Sequence, residues 1–409
     1  MRYPIFDIDT AQPLPTIRIS ETDSGIAVLL RRKGKPIDFW MEELQPNCAL
    51  TPTKLAQRIS KKAKAKLLSE SIREELTSFT KRPGFPSLTV AICTKDRPDC
   101  LHRCLQSLVK LKECVTDGVS EFDIMVIDNA PSDDQTKQLV THFSDVRYLS
   151  EVNPGLNFAR NRALRETDCE LLAYIDDDVV VDHGWLSGLH EAWSENPDAA
   201  AFTGQVLPME LETEAQILFE RRGGFRRGFE KVRYTSTLSG DDGYLYPCQT
   251  GIFGVGCNMA FRRQTLLAIG GFDEALDTGA PLPGGGDHDI FYQVIRAGYP
   301  LVYEPTYLVF HQHRQTLKQL RHQYWTWGLS VMAFASKAHR MDLPLRSRWR
   351  KLMVGWFHEH LKELTMATFG RYTLPAIIVF RELCGGILGL CGEYERSKQR
   401  VQQIRRQHQ

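Results

Sequence analysis

The middle of this 409-residue chain is predicted to form an α/β fold, in which a mainly parallel sheet is flanked by helices. Short continuous apolar runs, typical of buried parallel strands, alternate there with stretches of helical spacing. Strand-like pieces and one basic helix precede this part, and helices rich in aromatic and basic residues follow it. We therefore expect a small α+β region at residues 1–86, an α/β domain at 87–315 and a helical region at 316–409.

The N-terminal region combines a strand with a long basic helix. Residues 26–32 are apolar and precede a turn at 33–35, and residues 53–76 have helical character with Thr51 or Thr53 as the N-cap. Four lysines on this helix are most simply a solvated face, although contact with an anionic membrane stays open: Lys61, Lys62, Lys64 and Lys66.

Four strands are predicted in the α/β part, at residues 88–93, at 122–128, in a short stretch ending near 149 and at 171–175. The first is followed by a helix with leucines at 101, 105 and 108, and residues 153–155 begin a helix that carries 159–164. Polar residues follow three of the strands, at 94–97, 128–129 and 176–178. Because ligands bind beyond the carboxyl ends of parallel strands, these residues should converge on one pocket.

The acidic run Asp176-Asp177-Asp178 indicates a metal site. Three adjacent carboxylates repel one another, and their position at the end of a buried strand is costly without a cation. Mg²⁺ and Mn²⁺ take oxygen ligands and commonly pair carboxylates with substrate phosphates. The simpler alternative, a solvated acidic turn, is disfavoured by the strand before it and the valines after it.

Asp287 is the candidate general base. It follows three glycines and precedes an apolar helix, so its carboxylate lies at a helix N-terminus, where it can accept a proton from an attacking hydroxyl. The alternative is an N-cap only, and both roles are compatible in one residue.

His311 and His313 follow an apolar strand at a spacing that places them on the same face. With Arg314 directly after them, they suit a metal and diphosphate site, in which imidazole completes carboxylate coordination and guanidinium binds phosphate. This mixture of ligands favours Mn²⁺ weakly over Mg²⁺.

Six segments in order, over roughly residues 87–328, resemble the family-2 glycosyltransferases of the GT-A fold. They are residues 90–98, 126–132, 153–161, 174–178 (similar to the DXD signature), 256–262 and 270–273. The resemblance implies a GT-A-type nucleotide-binding sheet and an inverting, hexosyltransferase-like transfer from a nucleotide-diphosphate sugar, with UDP- or dTDP-sugars favoured. The implied acceptor is a glycan or lipid-linked glycan in polysaccharide or glycoconjugate synthesis.

The resemblance also assigns roles to residues. Mn²⁺ or Mg²⁺ would be held by Asp176, Asp178 and His311, and Asp287 would be the base. Nucleotide and donor contacts would come from Thr94, Asp96, Arg97, Asp128, Asn129, Asn153, Gly155, Arg160, Asp177 and Arg314. Acceptor contacts would come from Asp289, Trp325 and Trp327, the tryptophans having core packing as the alternative. The family commonly has Glu where this chain has Gly286, so the acceptor contact of that Glu is absent here.

Two other functions stay open. A sugar-phosphate nucleotidyltransferase also binds nucleotides on such a sheet, but it has a Gly-rich phosphate loop where this chain has residues 93–98. A non-catalytic binding subunit of the same fold would have lost the acidic motifs. A nicotinamide enzyme is disfavoured because no G-x-G-x-x-G follows the first strand.

Composition and short sequence patterns indicate the cellular location of the protein and the partners it has. A net charge of +1 gives no reason to expect nucleic acid as a partner. The N-terminus lacks a secretory signal pattern, the apolar stretch 374–391 contains Arg381 and Glu382, and the ten cysteines include no C-x-x-C pair. These features predict a cytoplasmic protein without a disulfide framework or a zinc site. Peripheral contact with the inner face of the membrane and homo-oligomer formation stay open.

Overall fold

The computed structural model describes residues 2–77, 84–113, 122–236, 245–277 and 282–407. Within these residues the predicted α/β centre, the smaller N-terminal α+β part and the helical C-terminal part are all present.

The N-terminal part is built from a sheet and one long helix. Its strands are β1 (Ile5–Asp9), β2 (Ile17–Arg18), β3 (Gly25–Arg32), β4 (Lys35–Glu43) and β5 (Ala49–Leu50), followed by α1 (Pro52–Thr77). Strands β1, β3 and β4 form one sheet, against which α1 packs Leu55, Ile59 and Ala63. The hydroxyl of Thr51 accepts from the backbone N–H of Lys54 at 3.4 Å, so Thr51, rather than Thr53, is the N-cap.

A buried ion pair joins this part to the rest of the molecule. Arg31 Nη2 in β3 lies 2.6 Å from Asp182 Oδ2, and both side chains are almost fully buried. Apolar side chains surround the junction, with Tyr3 and Phe39 packed in one cluster with Leu308.

Within the part of the chain that the structure describes, the central sheet has nine strands, and the four strands predicted from the sequence are among them. They are β6 (Leu88–Thr94), β7 (Phe122–Asn129), β8 (Val146–Glu151), β9 (Leu171–Asp176), β10 (Val179–Val181), β11 (Ala201–Pro208), β12 (Val232–Tyr234), β13 (Asn258–Arg262) and β14 (Leu301–His311). Their order is β10-β14-β11-β13-β9-β6-β7-β8, with β12 also paired to β14. The run from β9 through β6 and β7 to β8 is parallel, as predicted. Antiparallel pairs enter where β13 lies between β9 and β11 and where β10 and β12 flank β14.

Helices cover the sheet on both faces. They are α2 (Pro98–Glu113), α3 (Gln135–Val140), α4 (Leu156–Arg165), α5 (Trp185–Glu195), α6 (Glu214–Arg221), α7 (Arg263–Ala268) and α8 (Gly286–Arg296), with a 3₁₀ turn at Thr250–Ile252. The leucines at 101, 105 and 108 in α2 are fully buried against the strands, as their spacing predicts.

Four long helices form the C-terminal part: α9 (Leu317–Met341), α10 (Arg346–Thr368), α11 (Ala376–Leu390) and α12 (Glu393–Gln407). Helix α9 begins with a capping box, in which Thr316 and Gln319 satisfy each other's backbone N–H groups. No helix among the described residues is both long enough and apolar enough to cross a membrane. The nine cysteines in the described part of the chain are all free.

Candidate functional site

The acidic loop between β9 and β10 is anchored on the end of β6. Thr94 Oγ1 donates to Asp177 Oδ2 at 2.7 Å, and Arg97 Nη1 donates to Asp177 Oδ1 at 2.6 Å. Both oxygens of Asp177 therefore have partners from the first strand and the loop after it. This contact brings together two of the strand ends that the sequence predicted to converge.

Asp178 has one satisfied oxygen and one that has no hydrogen-bond partner. Arg97 Nη2 donates to Asp178 Oδ2 at 2.8 Å. Asp178 Oδ1 is buried without a hydrogen-bond donor, and it lies 3.4 Å from His311 Nε2 at the end of β14. Arg314 approaches the same carboxylate at 3.9 Å. The structure thus brings Asp178, His311 and Arg314 together, although they are far apart in sequence.

A chain of hydrogen bonds leads away from His311 into the protein. His311 Nδ1 lies 3.1 Å from His313 Nδ1, and His313 Nε2 lies 2.8 Å from Glu220 Oε1 in α6. With its Nε2 donating to the Glu220 carboxylate, His313 accepts through Nδ1, so His311 carries its proton on Nδ1. The lone pair of His311 Nε2 then faces the unpartnered oxygen of Asp178. Glu220 was not identified from the sequence.

Burial and neighbouring charges shift the pKa values of the aspartates and of His311 in different directions. Burial lowers the pKa of His311 to about 4, so the ring is neutral at pH 7. Burial opposes ionisation of Asp178, but the guanidinium groups of Arg97 and Arg314 hold its pKa below the usual range. Burial, with added repulsion from the other two carboxylates, raises the pKa of Asp176 to about 7, and burial raises the pKa of Asp177 to about 6.

The donor set fits a divalent cation that shares its coordination with a phosphate. Asp178 Oδ1 and His311 Nε2 are two adjacent acceptor atoms without a proton between them. No cluster of three or more metal-ligating side chains is preformed within the described ranges, so Asp176 is not gathered with this pair into a closed site. Open coordination of this kind is usual for Mg²⁺ and Mn²⁺ at diphosphates.

The nucleotide-side candidates Asp96, in the loop after β6, and Asp128, at the end of β7, have partners within the protein. Asp96 accepts from the backbone N–H and the hydroxyl of Ser132, both at 2.8 Å. Asp128 Oδ2 accepts from Tyr148 at 2.9 Å, while its Oδ1 is buried with no partner. Burial raises the pKa of Asp128.

Asn129 connects two loops. Its amide donates to the carbonyl of Asn153 at 2.8 Å, and its oxygen accepts from the N–H of Gly155 at 2.8 Å. Gly155 has a φ of +137°, which only glycine adopts readily, at the start of α4. Asn129 therefore positions the segment that leads to Arg160.

Arg160 links the acidic loop to the other side of the pocket. Its buried guanidinium donates to Asp277 Oδ2 at 2.5 Å and lies 3.8 Å from Asp176 Oδ1. Asp287 is close enough to Arg160 to contribute to the raised pKa of the guanidinium. Asp277 was not identified from the sequence, which has no motif around this position.

Asp287 is held at the N-terminus of α8. It accepts from the backbone N–H groups of His288 at 2.8 Å and Gly256 at 3.1 Å. Burial opposes ionisation, but His288, Arg160 and these two N–H groups lower the pKa of Asp287. The carboxylate is therefore ionised at neutral pH, as required of a base, and it is partly exposed.

Gly286 is tightly enclosed, which accounts for the absence of a side chain there. A Cβ at this position would lie 2.4 Å from Asn157 Nδ2 and 2.7 Å from Asp277 Oδ2. The carboxylate of Asp277 thus occupies the space into which a glutamate at 286 would extend.

The acceptor candidates lie in packed surroundings. Asp289 is buried and accepts from Lys337 Nζ at 2.7 Å. Trp327 packs against Phe219 and Phe225, and Trp325 is stacked on His322. These contacts favour the packing alternative for Trp327, and the acceptor role of the three residues stays a prediction.

Comparisons with known proteins agree with these observations. The family described as Glycosyl transferase family 2 matches residues 89–269, which include the acidic loop and the strands from β6 to β13. The pre-mycofactocin glycosyltransferase of Mycobacterium tuberculosis is 26% identical over 237 residues, covering 58% of this chain and 45% of that protein. The glucosyl-dolichyl phosphate glucuronosyltransferase of Haloferax volcanii is 27% identical over 168 residues, covering 39% of this chain and 44% of that protein.

This chain therefore spans less than half the length of either curated relative. Among solved structures, a mannosyltransferase from Pyrobaculum calidifontis in complex with GDP-Man and Mn²⁺ has a TM-score of 0.43 at 14% identity, over 69% of this chain and 75% of that one. That likeness is too distant to support a functional conclusion. Residues 89–269 match the Glycosyl transferase family 2 model, in agreement with the motif order and the α/β sheet.

Proposed function

We propose that the chain is an inverting, metal-dependent glycosyltransferase that moves a sugar from a nucleotide-diphosphate sugar to an acceptor hydroxyl. The observation that supports this most strongly is the position of Arg160, 3.8 Å from Asp176 of the acidic loop. A Cβ at Gly256 would lie 3.2 Å from Asp287 Oδ2 and 3.3 Å from Arg160 Nη2, so Arg160 and the candidate base are neighbours. Asp176, on the candidate metal side, and Asp287, the candidate base, therefore lie on either side of the buried guanidinium of Arg160.

The chain's own residues would perform a single in-line displacement at the anomeric carbon. Asp287, ionised at neutral pH, removes the proton of the acceptor hydroxyl as the new C–O bond forms. The bond to the diphosphate breaks on the opposite side, and the configuration inverts. Arg314, half-exposed beside Asp178, is placed to bind the departing diphosphate.

Asp178 and His311 are the residues that would hold the cation, with Asp176 as a further candidate. A divalent ion bound there would stabilise negative charge on the leaving diphosphate. The unpartnered oxygen of Asp178 beside a neutral imidazole supports this assignment.

The proposed classes of donor and acceptor come from the motif pattern and from one curated relative. The motif pattern favours a UDP- or dTDP-sugar, and Asp128, with one unpartnered buried oxygen, is the proposed contact for base or ribose. The Haloferax relative is named for an acceptor that is itself a dolichyl phosphate, glucosyl-dolichyl phosphate. We propose a glycan or lipid-linked glycan acceptor for this chain, in polysaccharide or glycoconjugate synthesis.

The test is a panel of UDP-, dTDP- and GDP-sugars measured by thermal denaturation with Mn²⁺ or Mg²⁺. A donor present at 100 times its Kd stabilises the folded state by about 2.7 kcal/mol, and a chelator should abolish this shift. A protein that no nucleotide sugar stabilises, with or without metal, would contradict the proposal. Release of pyrophosphate from a nucleoside triphosphate and a sugar phosphate would instead favour the nucleotidyltransferase alternative.

A further inference from the structure

Helix α11 exposes a row of large apolar side chains. Phe380 is 51% exposed and Ile387 is 55% exposed, and Ile377 lies on the same side at helical spacing. Arg381, also exposed, is next to Phe380 in the chain. The opposite side of α11 is buried, through Ile378, Val379 and Leu383 among others.

The buried side of α11 is locked against α9 and cannot rotate to cover the exposed row. A Cβ at Gly385 would lie 2.1 Å from the carbonyl oxygen of Trp325, and one at Gly328 would lie 2.0 Å from that of Glu382. The two helix backbones are therefore in direct contact. The exposed row is a fixed feature of the folded chain.

The neighbouring helix α10 also exposes large apolar side chains. Val354 and Leu361, seven residues apart, are 66% and 56% exposed, and Phe369 after the helix is 74% exposed. Sixteen large apolar side chains are exposed within the described residues, and eight of them lie on α10, on α11 or in the turn between these helices. Exposed apolar residues that are merely scattered would not concentrate on two helices in this way, so this concentration indicates an interaction surface.

The same part of the chain is strongly basic. Residues 346–390 contain 7 Lys and Arg against 3 Asp and Glu, whereas the whole chain has 51 and 50. Arg371 and Arg381 are exposed in the α10–α11 turn and on α11 itself. Two copies of the chain meeting through this surface would bring like charges together.

We propose that this surface, the apolar rows of α10 and α11 with their basic surroundings, binds the surface of an anionic lipid bilayer. The apolar side chains enter the boundary between headgroups and acyl chains, and the basic residues attract the anionic headgroups. Helix α11 has 15 residues, or about 22 Å, and carries Arg381 and Glu382 near its middle, so it lies along the bilayer surface instead of crossing it. This surface is separate from the acidic loop and from Asp287, so the inference does not depend on sugar transfer.

The experiment is co-sedimentation of the full chain with vesicles of phosphatidylcholine alone or with phosphatidylglycerol. We expect binding to the anionic vesicles, weaker binding to the neutral ones, and release at high salt. The double variant Phe380→Asp/Ile387→Asp should bind anionic vesicles at least tenfold more weakly. The control Leu267→Asp, at a partly exposed leucine on α7, should bind as the wild type does.

Circular dichroism checks that the variants fold, and Phe380→Trp provides a second measurement. Its added fluorescence should be quenched by brominated lipid if this face enters the bilayer. Three results would overturn the proposal: no binding of the wild type to anionic vesicles, equal loss in the Leu267→Asp control, or a wild-type dimer that the double variant dissociates while neither protein binds vesicles.

Discussion

His313 Nε2 lies 2.8 Å from Glu220 Oε1, and both side chains are almost completely buried. The other ring nitrogen of His313 lies 3.1 Å from His311 Nδ1, so the carboxylate in α6 controls which nitrogen of His311 carries the proton. The tautomer that results presents an unprotonated nitrogen to Asp178. Glu220 and His313 are thus positioning residues for the candidate metal ligands.

Replacing His313 should weaken metal binding without removing a metal ligand. In His313→Phe, His311 loses its acceptor and becomes free to donate to the unpartnered oxygen of Asp178 through Nε2. We expect Mn²⁺ affinity in the presence of a nucleoside diphosphate to fall about 10–100-fold, the usual effect of losing such a partner. Calorimetry measures the affinity, and ¹⁵N NMR of the histidines reports the tautomer.

The matched control is His360→Phe, because His360 also lies beside a carboxylate, Glu382, but on the C-terminal helices. Equal Mn²⁺ affinities in the two variants would show that His313 and its partner Glu220 have no influence on the metal site.

Asp178→Ala should weaken metal-dependent donor binding by more than about 10-fold, since it removes a carboxylate ligand and not merely its support. Titration calorimetry with a donor nucleotide and Mn²⁺ measures this. Binding in the absence of metal should change much less. An affinity for the donor and metal equal to that of the wild type would remove Asp178 from the set of ligands.

Asp287→Asn should leave donor binding nearly intact while lowering turnover by about 10²–10⁴-fold, the range expected for loss of a general base. The amide keeps the shape, and its single oxygen can still accept from one of the two N–H groups, that of Gly256 or that of His288. Initial rates at saturating donor, together with calorimetric donor affinity, separate the two effects. Turnover at the wild-type rate would exclude Asp287 as the base.

Gly256→Ala should displace the carboxylate of Asp287 by steric contact. Its Cβ would lie 2.9 Å from Asp287 Cβ, so one of the two residues has to move. A displacement of about 1 Å can cost about 10²-fold in rate, and we expect a loss in turnover with little change in donor affinity. Gly355→Ala, at a site with no neighbour within 4 Å, is the control and should be fully active.

The free energy of unfolding should depend on pH through His311. Burial lowers its pKa in the folded state to about 4 from the ordinary 6.5, so the unfolded chain binds more protons between these values. The contribution of His311 is therefore complete above pH 6.5 and is lost as the pH falls towards 4. At pH 5 the loss is about 2 kcal/mol relative to pH 7.

Denaturant titrations of wild type and His311→Gln at pH 7 and 5 check this. The difference in unfolding free energy between the two pH values should be smaller in the variant by about 2 kcal/mol. Parallel pH dependence in both proteins would show that His311 is not held neutral by burial.

The local pattern of apolar and polar residues was sufficient to predict the four strands β6 to β9 and the helices α2 and α4 of the central part. The apolar runs that became β6, β7 and β9 are buried on both faces, and their sequence signature does not depend on distant contacts. The antiparallel position of β13, between β9 and β11, could not be predicted in this way, because pairing partners are chosen by long-range packing.

The sequence by itself determined the α/β class, the acidic loop at the end of a buried strand and the candidate base at a helix N-terminus, because each depends on the order of neighbouring residues. Only the tertiary structure decided that Glu220 supports His313, that Asp277 fills the space beside Gly286, and that α11 keeps an apolar face exposed. These features join residues from distant segments. Their cause is side-chain packing and burial, which no local pattern in the chain encodes.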